Sequence, residues 1–163
     1  MQETRKKPID SIDSAMIILL QKDGRISNTD MARQLNLSES TVRSRLKRLI
    51  DDEIIQIVAV SNPFMLGFEL TGNIYIYVEM KKIDDIITEL KTFRELWYII
   101  LTTGDSNINA EFIVKNRDEL NDLIYNKISK IEGVIRIETS VIMKFEKRDY
   151  GYGTAKEVHH GST

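Results

Sequence analysis

The side chains in this sequence that could do chemistry are cations and small hydroxyls, not nucleophiles or metal ligands. The chain has no cysteine and only two histidines, adjacent at His159 and His160. The missing cysteine removes disulfides, thiolate metal sites and a cysteine nucleophile. Adjacent histidines in a polar tail cannot easily hold one ion in fixed geometry, so a plain tail is the simpler expectation. Residues 43–48, RSRLKR, place four positive charges within six positions. Ser38, Ser40, Thr41 and Ser44 surround them. Small hydroxyl residues let a helix approach base edges, and cations neutralise phosphates. This is chemistry for holding a nucleic acid rather than for making bonds.

Those residues need a scaffold, and residues 27–50, SNTDMARQLNLSESTVRSRLKRLI, supply its signals. Ser27 reads as a helix N-cap, with Asp30 placed to answer its backbone amide. Met31, Ala32 and Leu35 follow at helical spacing, and Asn36-Leu37 makes a turn. Ser38 caps again, and Val42, Leu46, Leu49 and Ile50 form a second apolar stripe. Two helices joined so tightly must cross steeply, as in a helix-turn-helix. At about 100° per residue, the face opposite that stripe carries Ser40, Ser44, Lys47 and Arg48, flanked by Thr41, Arg43 and Arg45. An isolated basic helix is usually just a solvated surface. In the second position of a helix-turn-helix, DNA contact is the better expectation.

Upstream, Asp10 or Ser11 caps a first helix carrying Ile12, Met16, Ile17, Leu19 and Leu20, which Asp23-Gly24 ends. Residues 1–53 thus read as a three-helix DNA-binding domain. Residues 54–68 read as a connecting strand and linker, broken at Pro63. The following order is strand 73–79, helix 84–93, strand 97–102, strand 108–114, a helix from an Asn116 cap through Lys130, and a last strand from Ile135. That β-α-β-β-α-β order is the split βαβ, ferredoxin-like arrangement over residues 69–148, giving an α+β protein. Both helices cover one sheet face. The other is expected to carry some of Tyr75, Tyr77, Ile99 and Leu101 and to pair in a homodimer. Residues 149–163 read as a flexible tail.

Formal net charge is −2, with residues 1–62 at +1 and residues 63–163 at −3. Any nucleic-acid surface is therefore local, which favours specific or dimer-assisted binding over coating of DNA. The start, MQETRKKPID, lacks an apolar core for a secretory signal. No apolar run approaches the ~20 residues of a membrane span. A cytoplasmic, nucleoid-associated protein is the expectation.

Several separated motifs together resemble the Lrp/AsnC (leucine-responsive, feast/famine) family of transcriptional regulators. They are Ile12-Asp13, the run Leu20 to Ser27, Leu37-Ser38 through Arg45, Arg48 and Leu49, Asn62-Pro63 with Leu66-Gly67, Thr103-Gly104-Asp105, and Gly133-Val134 with Thr139. The resemblance spans residues 9–148. It implies a helix-turn-helix domain joined to a ferredoxin-like (RAM-type) effector and dimerisation domain. Implied partners are double-stranded DNA and further copies of the chain, as a dimer, tetramer or octamer. No cofactor is implied beyond an amino-acid effector bound between dimers near Gly104, Asp105, Asn107, Thr139 and Ser140. The family's Gly-Val-Ile after the third helix is Glu53-Ile54-Ile55 here. Its second turn acid is Asn107, and Asn109 and Glu111 interrupt the next strand.

Plainer readings stand beside these. Asp105 and Asn107 stabilise tight turns unaided, and Thr139 is a good strand former. Tyr75, Tyr77, Trp97 and Tyr98 could stack bases, as in RNA-binding sheets, but core and dimer packing is the simpler expectation. Two alternative functions share the outline. One is a nucleoid-organising protein with little sequence preference. The other is an enzyme resembling siroheme decarboxylases, which the lack of any histidine before residue 159 disfavours.

Overall fold

The computed structural model describes residues 8–148 and 150–151. The chain divides into two compact units, residues 1–60 with 147–163 and residues 61–146. The expected N-terminal arm, and the tail with His159 and His160, lie almost wholly outside the described residues.

The first unit holds α1 (Ser11–Lys22), α2 (Asn28–Leu35) and α3 (Glu39–Asp51). Each start is a local side-chain device. Asp10 caps α1 in a complete capping box with Asp13. The Asp30 amide donates to Ser27 Oγ at 3.0 Å, and the Thr41 amide to Ser38 Oγ at 3.1 Å. Asp30 answers the Ser27 hydroxyl at 2.7 Å rather than its backbone amide. Asn36 ends α2 with φ at 53°, a left-handed conformation that asparagine tolerates well. The chain therefore reverses within three residues and starts α3 at once. Met16, Met31, Ala32 and Val42 form the buried centre, with Ile12, Leu20, Leu35 and Leu46 packed around it. Met16, Met31 and Val42, each fully buried, contribute about 1.5–3 kcal/mol apiece, and the force is non-directional.

Residues 54–60 make no ladder among the described residues, and Ile57, Val58 and Val60 are exposed. The expected connecting strand is thus an extended segment without a partner strand among the described residues. A short 3-10 turn, Pro63–Leu66, capped by Asn62, opens the second unit. Phe64 there meets Phe145 beyond the last strand, ring centres 6.2 Å apart.

The second unit runs β1 (Leu70–Val78), α4 (Ile83–Leu90), β2 (Leu96–Leu101), β3 (Ile108–Val114), α5 (Arg117–Asn121) and β4 (Val134–Val141). Its strands form one antiparallel sheet in the order β2-β3-β1-β4. That is the ferredoxin-like topology expected from element order. After α5 the helix widens into a π turn over Asp122–Lys127 and tightens over Ile128–Lys130, so the expected single helix has three windings. Ile74, Ile76, Ile108, Ala110 and Phe112 on the sheet meet Ile86, Leu90, Leu123 and Ile128 on the helical side.

Register corrects the expectation for the open sheet face. Ile99 pairs with Ala110 and Leu101 with Ile108, so both share the helix-covered face. Tyr98 and Ile100 alternate onto the other face, beside Glu111 and Asn109. Tyr75 and Tyr77 join them, opposite Glu138 and Arg136. The open face is therefore mixed aromatic and polar. Its tyrosines lie outside the core, and the Arg136 guanidinium stands 4.5 Å from the Tyr77 ring centre.

Candidate nucleic-acid interface and effector cleft

Helix α3 buries Val42 and Leu49 completely, so the opposite face must look outward. Its exposed positions include Ser40, Arg43, Ser44 and Lys47, at i, i+3, i+4 and i+7. That is one continuous stripe. Arg43 and Lys47 have side-chain exposures of 70% and 74%. Each leans on an acid one turn away, Arg43 on Glu39 at 2.7 Å and Lys47 on Asp51. Exposed i,i+4 pairs contribute only about 0.3–0.5 kcal/mol, so a phosphate readily displaces the acid. Ser38 and Thr41 sit at the helix start, with hydroxyls 2.7 Å apart.

Arg45 and Arg48 depart from expectation. Wheel geometry placed Arg48 on the outward face and Arg45 beside it. Their side chains are instead only 23% and 22% exposed. Arg45 Nη1 donates to Asp10 Oδ2 at 2.6 Å and to Asp13 Oδ1 at 2.9 Å. Arg48 Nη2 donates to Asp13 Oδ2. Asp13 is fully buried and also accepts from the Asp10 amide at 3.1 Å. The buried carboxylate draws both guanidinium groups across to α1, because an unpaired buried charge would cost several kcal/mol. The Asp13 amide and the Arg45 guanidinium together hold the Asp10 carboxyl down to about 2. Burial pushes Asp13 up, but hydrogen bonds from the Asp10 amide, Arg48 and Arg45 outweigh it and leave Asp13 below the usual carboxylate range. Two of the four clustered cations thus serve the domain's own assembly.

From sequence, Asp10 reads only as a cap and Asp13 only as part of a motif. A signal was present. Asp13, Met16, Ile17 and Leu20 share one helical stripe, so a carboxylate sits on an apolar face and demands a partner.

The effector candidates also separate. A cleft of about 420 Å³ opens on the uncovered sheet face, lined by Gly104 and Asp105 together with Tyr75, Tyr77, Thr103 and Glu138. Gly104 adopts φ +149°, in the region that favours glycine. Asn107 turns away: its side-chain oxygen accepts from the Val78 amide at 2.9 Å and ties the loop to the end of β1. Thr139 pairs with the core residue Ile74 and lies on the helix-covered face, lining a separate groove beside Tyr125 and Ser129. Ser140 pairs with Asn73 on the open face, outside the cleft lining. Thr139 and Ser140 are adjacent in sequence and therefore point to opposite faces of the sheet. Tyr75 and Tyr77 are expected on the uncovered face only as dimer packing, and Glu138 carries no sequence signal, because alternation does not say which loop stands over a strand.

A helix-turn-helix unit followed along the chain by a ferredoxin-like unit with a loop cleft defines a two-domain helix-turn-helix architecture. Comparison with known proteins refines this. Residues 9–50 match the model of the AsnC-type helix-turn-helix domain, and residues 73–152 match that of the Lrp/AsnC ligand binding domain. The chain belongs to the Lrp/AsnC family of transcriptional regulators. It is 36% identical to an HTH-type transcriptional regulator of Pyrococcus horikoshii, over 90% of this chain and 94% of that one. It is 33% identical to the HTH-type transcriptional regulator FL11 of Pyrococcus furiosus, over 85% and 92%. The fold matches AsnC of Escherichia coli with a TM-score of 0.80 at 22% identity, covering 90% of this chain and 100% of that one. It also matches a Neisseria meningitidis transcriptional regulator solved as a complex with L-Met, TM-score 0.83 at 20% identity, over 92% and 99%. The relatives are transcriptional regulators, and among the described residues no helix is long and apolar enough to cross a membrane.

Proposed function

We propose that this regulator reads DNA by laying the outward stripe of α3 in the major groove. Arg43 and Lys47 hold phosphates or guanine edges there, Ser40 and Ser44 approach base edges, and Ser38 and Thr41 meet the backbone at the helix start. The single observation that carries this reading is the stripe itself. Four consecutive helical-face positions are hydroxyl or cationic and solvent-facing, while the neighbouring arginines are engaged inward. The working unit is a dimer or larger assembly acting in the cytoplasm on a pseudopalindromic site. It is a regulator and not an enzyme. An amino acid seated by the Thr103-Gly104-Asp105 turn tunes it, with Asp105 pairing the ammonium group. The L-Met complex of the Neisseria relative supports this choice of ligand class.

Selection of bound DNA from a random pool, with and without a panel of amino acids, identifies operator and effector together. On the recovered site, Arg43→Gln with Lys47→Gln should weaken binding and flatten the salt dependence by about 0.9 per lost phosphate contact in each bound subunit. An unchanged salt slope would remove the stripe from the interface. A response to an amino acid that survives Asp105→Asn would remove the turn from the effector site.

A further inference from the structure

We infer that the carboxylates of Asp10 and Asp13 are positioning residues for DNA reading, clamping α3 through Arg45 and Arg48 at the one rotation that aims its outward stripe. The inference rests on the proposed seating of that stripe in DNA and adds what fixes the helix's angle.

The apolar core alone does not fix that angle. Val42 and Leu46 hold α3 against its neighbours through contacts that tolerate small rotations, because apolar burial has no preferred direction. A charge-assisted hydrogen bond from a guanidinium to a carboxylate is directional. Here two guanidinium groups spaced three residues apart on α3 reach two carboxylates spaced three apart at the start of α1, Arg45 through Nη1 to both acids and Arg48 through Nη2 to Asp13. Each carboxylate is itself tied to the other residue's amide, Asp13 N to Asp10 Oδ1 at 2.9 Å and Asp10 N to Asp13 Oδ2 at 3.1 Å. The anchor therefore belongs to the N-terminal cap of α1 and cannot swing freely. Asp52, 4.0 Å from Arg48, is a further acid beside the clamp.

The consequence differs for base and phosphate contacts. A helix with side chains has a radius of about 5–6 Å, so a rotation of about 20° moves its side-chain tips by roughly 2 Å. A base-edge hydrogen bond does not survive that displacement. A screened attraction between a flexible cation and a phosphate barely changes. Loosening the clamp should therefore erase sequence preference and leave general DNA affinity in place. If Arg45 and Arg48 were instead simple phosphate contacts, neutralising their carboxylate partners would free cationic charge and strengthen binding to every sequence.

The test uses the full chain, with one selected site and random DNA of equal length, titrated across salt concentrations. Asp10→Asn keeps a good N-cap and removes only the charge facing Arg45. Asp13→Asn removes the central charge. Both variants are checked for native helical ellipticity at the assay temperature. The expected result is a fall in the ratio of selected-site to random-site affinity of at least tenfold for Asp13→Asn, and a smaller fall for Asp10→Asn. Random-site affinity and its salt slope stay equal to or above the wild-type values. If Asp13→Asn does not hold its helices, Asp10→Asn alone decides the question. A folded variant whose two affinities rise or fall together, with their ratio intact, overturns the clamp. Wild-type protein with no preference for any site would instead overturn the DNA reading beneath it, an outcome visible before any variant is made.

Discussion

Replacing Asp13 by alanine should strongly destabilise the helix-turn-helix unit, and the size of the effect follows from its surroundings. The fully buried carboxylate receives one hydrogen bond from each of two guanidinium groups and one from the Asp10 amide. Removing one partner of a buried ionic cluster costs about 3–5 kcal/mol. The lower end applies here. Arg45 keeps Asp10 at 2.6 Å, and both arginine side chains are about one-fifth exposed, so each can turn partly to water. A unit of roughly 50 residues has about 2.5–7.5 kcal/mol in total. A loss near 3 kcal/mol thus takes a large share, and lowers the midpoint by about 12–24 °C at the usual sensitivity of small domains. Thermal and urea melts followed by helical ellipticity measure it, with the ferredoxin-like unit's transition as an internal reference. Adding Arg45→Met and Arg48→Met to Asp13→Leu should recover most of the loss, because an apolar replacement needs no desolvated charge. A helical transition displaced by less than about 1 kcal/mol in Asp13→Ala would refute the view that this cluster holds α3 to α1.

Two further outcomes are expected. Asp10, held at about 2, and Asp13, also depressed, stabilise the folded form fully above the ordinary carboxylate value, and that contribution is lost as pH falls through their folded values. An acid titration should therefore leave the first unit helical at about pH 4 and melt it progressively toward about pH 2. Melting already complete near pH 5 would contradict the pairing. In the second unit, a methyl group on Gly72 would collide with the Ser140 carbonyl oxygen and lie 2.8 Å from the Phe112 ring. Gly72→Ala should force β4 away from β1 and cost about 3 kcal/mol, the upper end for overpacking. A calorimetric midpoint close to wild type would show that the strands part at little cost.

Much of the fold was legible because its signals are local. Ser27, Ser38 and Asn116 cap the helices they were expected to cap, through hydrogen bonds spanning three residues. Strand Ile108–Val114 alternates buried and half-buried side chains as its pattern required. Less local features were misplaced. Periodicity located the helix that begins near Asn116, but not the π turn inside it. The run at residues 54–60 has strand composition yet no strand beside it among the described residues, since composition cannot supply a ladder partner. Leu101 and Thr139 were placed by kind and motif, and their actual faces follow from register with Ile108 and Ile74.

Sequence by itself determined that this protein would be a helix-turn-helix followed by a ferredoxin-like unit, because capping, turn chemistry and hydrophobic period act within a few residues. It also determined which residue types could meet DNA. Only the tertiary structure decided which of the four clustered cations face outward. A helical wheel fixes angles around one axis, but Asp13 reaches Arg45 and Arg48 across more than thirty residues of chain. Once that carboxylate is buried, the high cost of leaving a charge without a partner turns those two arginines inward and leaves Arg43 and Lys47 facing the solvent.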